Sequence, residues 1–294
     1  MEYSFPHYLL AKQSVDDRAL NRHVLEALRA NLPTRPLRVI EAGAGMGNML
    51  ARLLGWDVLR CAEYVHVDSM PENIAFAREW LPKWGAEAGL CVELLGQNAL
   101  RMYDARRDVI VRLEQADVME YAARSPEPAD LLIAHAFLDL LPMPESMPGL
   151  LSLTHDLAWL TINFDGLSSL EPQVDAGLDE QIERLYHRTM DTRRTGGDSR
   201  AGRHLFAHLA AAGADVLAAG SSDWIVYPRN GCYPGEEAYF LHFILHFFEE
   251  ALRGEPELDM DRFVAWLAER RRQIDRAELI YIAHQVDFLA RRTL

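Results

Sequence analysis

The stretch Leu37-Arg38-Val39-Ile40-Glu41-Ala42-Gly43-Ala44-Gly45-Met46-Gly47-Asn48 decides how the rest of the chain is read. The apolar run Leu37 to Ile40 reads as a strand buried on both faces. It ends in an acid, Glu41, then three glycines at alternate positions, and a helical pattern, Met46 to Leu54, starts at once. Strand, glycine turn and helix bring bare backbone close to a ligand, because glycine has no Cβ. A dinucleotide fingerprint beginning at Gly43 would need a glycine or alanine at position 48, where Asn48 stands, so a nicotinamide enzyme is the lesser reading. A tight turn with no ligand is the structural alternative.

Working outward, Tyr64 to Val67 reads as a second strand ending in Asp68, which lies 21 residues beyond Gly47. At that spacing an acid meets a ribose in nucleotide-binding α/β folds, since one carboxylate can accept from both vicinal hydroxyls. Asp68 or Ser69 could instead cap the helix that Pro71 opens. Asp108 to Glu114 reads as a third strand, followed by Asp117 and Val118; Asp117 could also cap a short turn at 119–123. Leu131 to Ala134 is the apolar core of a fourth strand, which ends at His135.

The run Glu41-Ala42-Gly43-Ala44-Gly45-Met46-Gly47 resembles the first motif of the class I S-adenosylmethionine-dependent methyltransferases, and Asp68 and Asp117 stand where that family has acids. The resemblance covers roughly residues 14–230. It implies a Rossmann-like, doubly wound α/β fold: a mostly parallel seven-stranded sheet with a C-terminal hairpin. It also implies S-adenosyl-L-methionine as cofactor and S-adenosyl-L-homocysteine as product. By that resemblance Glu41, Gly43, Ala44, Gly45 and Gly47 form the cofactor loop. Asp68, Ser69 and Met70 hold the ribose side, Asp117 and Val118 take the adenine, and Ala134 and His135 lie near the methionine half. His135 is the general-base candidate by position, its unperturbed pKa being near neutrality; a histidine merely packing on the cofactor is the alternative.

The flanking segments are expected as follows. Residues 1–36 form an N-terminal arm, packed on the domain or lying over the cofactor as a lid, and a helix from Ser14 to Ala30 with Val15, Leu20, Val24, Leu25 and Leu28 on one face. Val92 to Tyr103 is expected as an extra helix. Met147 to Leu157 is expected as a helix and Ala158 to Phe164 as a fifth strand. Residues 166–212 form a helical insertion, with helices over 178–193 and 203–212 and a flexible turn from Thr195. Asp215 to Ala219 and Trp224 to Tyr227 are expected to pair as the closing hairpin. Residues 231–294 read as a helical extension packed on domain 1–230, its last helix running from Arg276 to Arg291, and could roof a substrate pocket or form a homodimer face. His242 and His246 have metal-pair spacing on a helix, but no third ligand is placed and no metal is expected.

Composition narrows the function classes. The chain has 294 residues, 49% hydrophobic, with a formal charge of −14. That charge opposes nucleic-acid binding, which is driven largely by phosphate neutralisation; the candidates for a local basic patch, Arg188, Arg193, Arg194, Arg200 and Arg203, and Arg270 to Arg272, sit among acids and read as solvated helix faces. No run approaches a membrane span. Three scattered cysteines and no signal-peptide pattern make a reduced cytoplasm the default. No Asn-Pro-Pro-Tyr-like sequence follows the fourth strand. A small-molecule acceptor, methylated by in-line displacement, is therefore the leading expectation. The alternatives are a protein or tRNA methyltransferase and a non-catalytic cofactor-binding module.

Overall fold

The computed structural model describes residues 3–193 and 196–293. The helix expected over Ser14 to Ala30 is two, α2 (Gln13–Ala19) and α3 (Arg22–Asn31), and the arm before it forms a further helix, α1 (Phe5–Ala11). Leu20 is extended and breaks the run, and Asn21 caps α3 by accepting from the Val24 N–H at 3.1 Å. An Asn side chain that satisfies backbone donors favours a new helix start over helix continuation.

The parallel core follows the expected order: β1 (Leu37–Ala42), α4 (Asn48–Gly55), β2 (Cys61–Asp68) and α5 (Pro71–Glu87). The segment expected as a helix over 92–103 is instead a hairpin, β3 (Cys91–Leu94) and β4 (Ala99–Tyr103). Leu100 and Met102 alternate inward with exposed or half-buried neighbours, and Gly96 turns the chain at φ +147°. That period of two defeats a helical reading. β5 (Asp108–Gln115), α6 (Val118–Ala123) and β6 (Ala129–His135) come next, then a 3₁₀ turn over Leu138–Leu140.

The second half departs further from expectation. α7 (Met147–Leu151) is short, and β7 runs from Thr154 to Glu171, eighteen residues, absorbing both the expected end of the preceding helix and the start of the expected insertion. Then come α8 (Ala176–Asp191), α9 (Ala201–Ala211), β8 (Ala214–Ser221), β9 (Trp224–Val226), α10 (Glu237–Leu252), α11 (Met260–Asp275) and β10 (Ile280–Arg292). β8 and β9 do not form a hairpin with each other: both pair antiparallel with β10. Nor is the C-terminal segment wholly helical, because β10 is a sheet strand. Tyr281, Ala283, Gln285 and Asp287 alternate inward. Two buried polar residues in that series disguise the strand period.

Among the described residues the sheet has ten strands, with β9 beside β10 and the others in the order β3-β4-β5-β2-β1-β6-β7-β10-β8. The sheet is mixed rather than purely parallel. Strands β5, β2, β1, β6 and β7 are parallel, and β10 runs against both β7 and β8. The two faces carry separate cores, Val39 and Tyr64 facing one and Ile40, Val65 and Val67 the other. Asp287 ties the last strand to the rest. Its carboxylate accepts from Ile162 N–H at 2.7 Å and Asn21 N–H at 2.8 Å, and burial pushes its pKa up to about 6.

Past Ile162, where φ is +57°, β7 runs on beside Ile280 to Ala283 of β10, which β9 flanks on its other side. This ribbon, with α8, α10 and the arm helix α1, supplies the walls of a second cavity beside the one at the sheet edge. Thr195 and Arg194, named in the sequence reading, lie outside the described residues. No helix among the described residues is long and apolar enough to cross a membrane.

Candidate cofactor and acceptor sites

The turn between β1 and α4 has Gly43, Gly45 and Gly47 at φ +65°, +57° and +93°. Two of these positions exclude any side chain by space as well as by conformation. A Cβ on Gly43 would lie 2.3 Å from the Phe137 ring, and one on Gly47 would lie 2.9 Å from Leu81. The loop is pinned from β2. Asp68 accepts from Gly45 N–H at 2.7 Å with one oxygen, and from Met70 N–H at 2.8 Å and the Asn73 amide at 3.1 Å with the other. His66, two residues earlier on the same face, donates from Nε2 to the Gly45 carbonyl at 3.0 Å; burial depresses its pKa to about 4, so it is neutral. Tyr64, two residues earlier again, donates to Glu41 at 2.5 Å. Burial drives the Glu41 carboxyl up to about 8, with Tyr64 and Arg52 opposing.

These residues open on a cavity of about 480 Å³. Glu41, Gly43, Ala44, Gly45, Asp68, Ser69, Met70, Asp117, Val118 and His135 all line it. Gly47 and Ala134 do not. Gly47 lies under Leu81, and Ala134 is fully buried between its β1 and β7 partners, Ala42 and Leu160. The chain beyond Ala134 reaches the cavity instead, where Ala136 turns at φ +50° and sets Phe137 against the glycine loop. Asp117 does cap α6, accepting from Met119 and Glu120 N–H at 2.8 and 3.1 Å, but both bonds use one oxygen, Oδ1. Its other oxygen leaves an acceptor at the cavity wall.

His135 is not an open base. Its Nδ1 lies 2.8 Å from the Thr161 hydroxyl and its Nε2 3.0 Å from Asp16, with Arg52 at 3.3 Å. Burial depresses its pKa to about 4, leaving the ring neutral. The tautomer that serves both partners donates from Nε2 to Asp16 and accepts at Nδ1 from Thr161. Asp16 is fully buried. Burial alone would raise its pKa, but Lys12 at 3.3 Å and Arg52 at 3.3 Å overcome that and hold the carboxylate well below its ordinary range. Its second oxygen accepts from Trp224 Nε1 at 2.9 Å.

The sequence reading missed Lys12, Asp16, Arg52, Tyr64, His66 and Phe137. One signal was available: Tyr64, His66 and Asp68 put three polar side chains at every second position of a buried strand. Nothing local in the sequence connects Asp16 to His135, 119 residues away.

A second cavity of about 360 Å³ adjoins the first and shares Phe5, Leu9, Lys12, Ala136 and Leu140 with it. The arm thus lies over both. Asn48, the residue that departs from the dinucleotide fingerprint, holds it there by donating to the Leu9 carbonyl at 2.8 Å.

The other candidates resolve differently. His242 pairs with Asp275 at 3.5 Å and His246 stacks on Tyr3, so the two histidines do not converge. Among the described residues no cluster of three or more His, Cys, Asp or Glu could hold a metal. Arg188, Arg203, Arg270, Arg271 and Arg272 are each in ion pairs with acids rather than a bare basic face.

Set against solved structures, a provisional methyltransferase of Bacillus halodurans superposes on 93% of this chain and 100% of its own, with a TM-score of 0.50 at 10% identity. The chain has the class I S-adenosylmethionine-dependent methyltransferase fold. At such identity the likeness speaks for the fold alone. Two methyltransferases solved with S-adenosyl-L-homocysteine, from Thiobacillus denitrificans and Geobacter sulfurreducens, overlap less closely. Their TM-scores are 0.48 and 0.45 at 14% identity, covering 100% and 99% of this chain and all of theirs. No protein-family model matches the sequence, and no curated protein matches it significantly. In this class I fold the reversed strand β10 sits between β7 and β8, and the carboxyl ends of β1, β2, β5 and β6 all meet the first cavity.

Proposed function

We propose that the protein is an S-adenosylmethionine-dependent methyltransferase acting on a small molecule. The observation that carries this is the pair of adjoining cavities: one bears the glycine loop, Asp68 and Asp117, and the other is largely aromatic. A transferase of this kind needs two sites that meet, so that acceptor and donor react as if within one molecule.

The first cavity fits the cofactor chemically. Asp117 Oδ2 suits an exocyclic amine, with Val118 and Ala116 beside the ring. Asp68 suits ribose hydroxyls, and Gly43 to Gly45 offer backbone without side chains. Asn48 Oδ1 is buried without a partner and lines the same cavity, an acceptor waiting for a donor. Glu41 suits the cofactor's ammonium, which would draw that carboxyl into its ionised form. When bound, the cofactor supplies an electrophilic methyl on a sulfonium.

The chain's own residues position and exclude water. Phe5 and Leu9 of α1 cover both cavities, while the buried Lys12–Asp16–Arg52–His135 cluster fixes the arm to the sheet. His135 serves in this reading as an orienting group that links Asp16 to Thr161, with no nitrogen left to take a proton. The acceptor nucleophile is then one that needs no strong base, or loses its proton to solvent.

Calorimetric titration with S-adenosylmethionine, S-adenosylhomocysteine and NAD tests the cofactor. Micromolar binding of both sulfur ligands and none of NAD is expected; NAD alone, or nothing, would reject the reading. Incubation with methyl-labelled S-adenosylmethionine and a cell extract passed through a low-mass filter tests the acceptor. Label appearing in a small molecule is expected, whereas label confined to protein or tRNA would reject a small acceptor.

A further inference from the structure

The second cavity carries more information than its size. Tyr8, Phe164, Tyr186, Trp224, Phe247 and Tyr281 contribute aromatic walls. Three polar features break the apolar surface. Gln285, 2% exposed, has its carboxamide oxygen buried with no hydrogen-bond partner. Arg193, exposed, lines the cavity and forms no ion pair among the described residues. Asp139 is the one acid among the lining residues.

The charges are not equivalent. Lys12 also lines the cavity, but it is committed to Asp16 and lies over the Trp224 ring, 5.5 Å from its centroid. Burial raises the pKa of Asp139, with Arg193 and Lys12 opposing. Arg193 is thus the lining cation that forms no ion pair among the described residues. A guanidinium presents a planar fork of donors that matches a carboxylate with two parallel bonds. An aromatic cage without such a cation would suit an amine ligand, by cation–π attraction; here the free cation belongs to the protein.

We propose that this cavity takes a flat aromatic carboxylic acid that also carries a hydrogen-bond donor. The carboxylate sits on Arg193, the ring among the aromatic walls, and the donor on Gln285. Arg193 is not among the residues the two cavities share. The carboxylate is thus a handle for the ligand, and the methyl goes to another of its atoms. This rests on reading the second cavity as the acceptor site, and deepens that reading to a substrate class.

The test uses three fluorescent probes of one shape: 6-hydroxy-2-naphthoate, 2-naphthol and 6-(aminomethyl)-2-naphthol. Binding is followed by anisotropy on the full chain, with and without S-adenosylhomocysteine. The naphthoate should bind at least tenfold tighter than the other two. Arg193→Ala should remove that advantage and Arg193→Lys should restore part of it, while 2-naphthol affinity stays the same in all three proteins. A tighter amine probe, equal affinity for all three probes, or an Arg193→Ala protein that keeps the preference would overturn the proposal. S-adenosylhomocysteine titrated separately reports on the methyltransferase reading. A wild-type protein that prefers the naphthoate but ignores the nucleoside would sink that reading and leave the acid site standing.

Discussion

The two cavities adjoin but are made in opposite ways. The first is assembled from the ends of consecutive parallel strands, and apart from the arm residues over it and Arg52, its lining falls in a few short sequence windows around 41–49, 67–73, 116–118 and 135–141. The second draws on α1, the overhang of β7, α8, β9, α10 and the start of β10, segments up to 280 residues apart. A strand end followed by a tight loop has a local cause, the glycine turn, and so writes a local pattern. A pocket built from insertions is defined by which apolar faces happen to meet, and writes none. The contrast fits a fold in which one half serves a constant ligand and the other half is free to vary.

The largest expected effect breaks the contrast, because it strikes the cluster joining both halves. Asp16→Ala would leave Lys12 buried without its carboxylate, reduce Arg52 to its second partner, Asp17, and free Trp224 Nε1. A loss of about 3–5 kcal/mol in denaturant unfolding is expected, as for other broken buried pairs. A loss below 1 kcal/mol would show that the arm is peripheral.

Asp68→Ala comes next and should act on the first cavity alone. In the proposed reading it removes the ribose acceptors as well as the brace on Gly45, so S-adenosylhomocysteine affinity should fall on the order of a hundredfold. Calorimetry showing unchanged affinity would end the ribose assignment.

Glu41 sharpens the same half through pH. Its folded pKa, about 8, lies above its ordinary 4.5, so the folded chain keeps a proton that the unfolded chain has lost. Stability from this group is therefore full at low pH and declines as pH rises from about 4.5 to 8. Glu41→Gln should abolish that decline in unfolding curves across the window. Parallel pH profiles for variant and wild type would refute it.

Phe247 belongs to the second cavity only. Phe247→Ala should weaken acceptor or naphthoate binding about tenfold, as the loss of a buried ring face would, and leave S-adenosylhomocysteine affinity within about twofold. Equal losses at both sites would mean that the cavities do not act separately. The smallest effect is expected from Asn48→Ala, which gives up one bond to the Leu9 carbonyl and about 1 kcal/mol. Faster hydrogen exchange confined to residues 5–12 is its readout.

How far the chain could be read from its residues follows the same division. The parallel strands β1, β2 and β6 are legible as apolar runs, β5 by Val109, Val111 and Leu113 at every second position, and the glycine loop by its left-handed turn, because each is a local necessity. Most of the expected cofactor contacts line the cavity for that reason. Gly47 and Ala134 fail because position at a strand end does not reveal which way a side chain points. The hairpin β3–β4 and the strand β10 read as helices from the residues alone. In β10 the inward series passes through Gln285 and Asp287; Asp287 is buried against distant donors, Asn21 and Ile162 N–H, and nothing local signals either.

From the sequence alone came the class I cofactor half: a glycine loop on the first strand, with acids at the ends of the second and third. Its cause lies within a few residues of itself. Only the tertiary structure could decide that His135 is already engaged on both nitrogens, that the last strand enters the sheet, and that an arm from the opposite end of the chain roofs both cavities. Each of those depends on polar groups meeting across the chain, from 26 residues apart for His135 and Thr161 to 266 for Asn21 and Asp287, and burial energy registers such meetings only once the chain has folded.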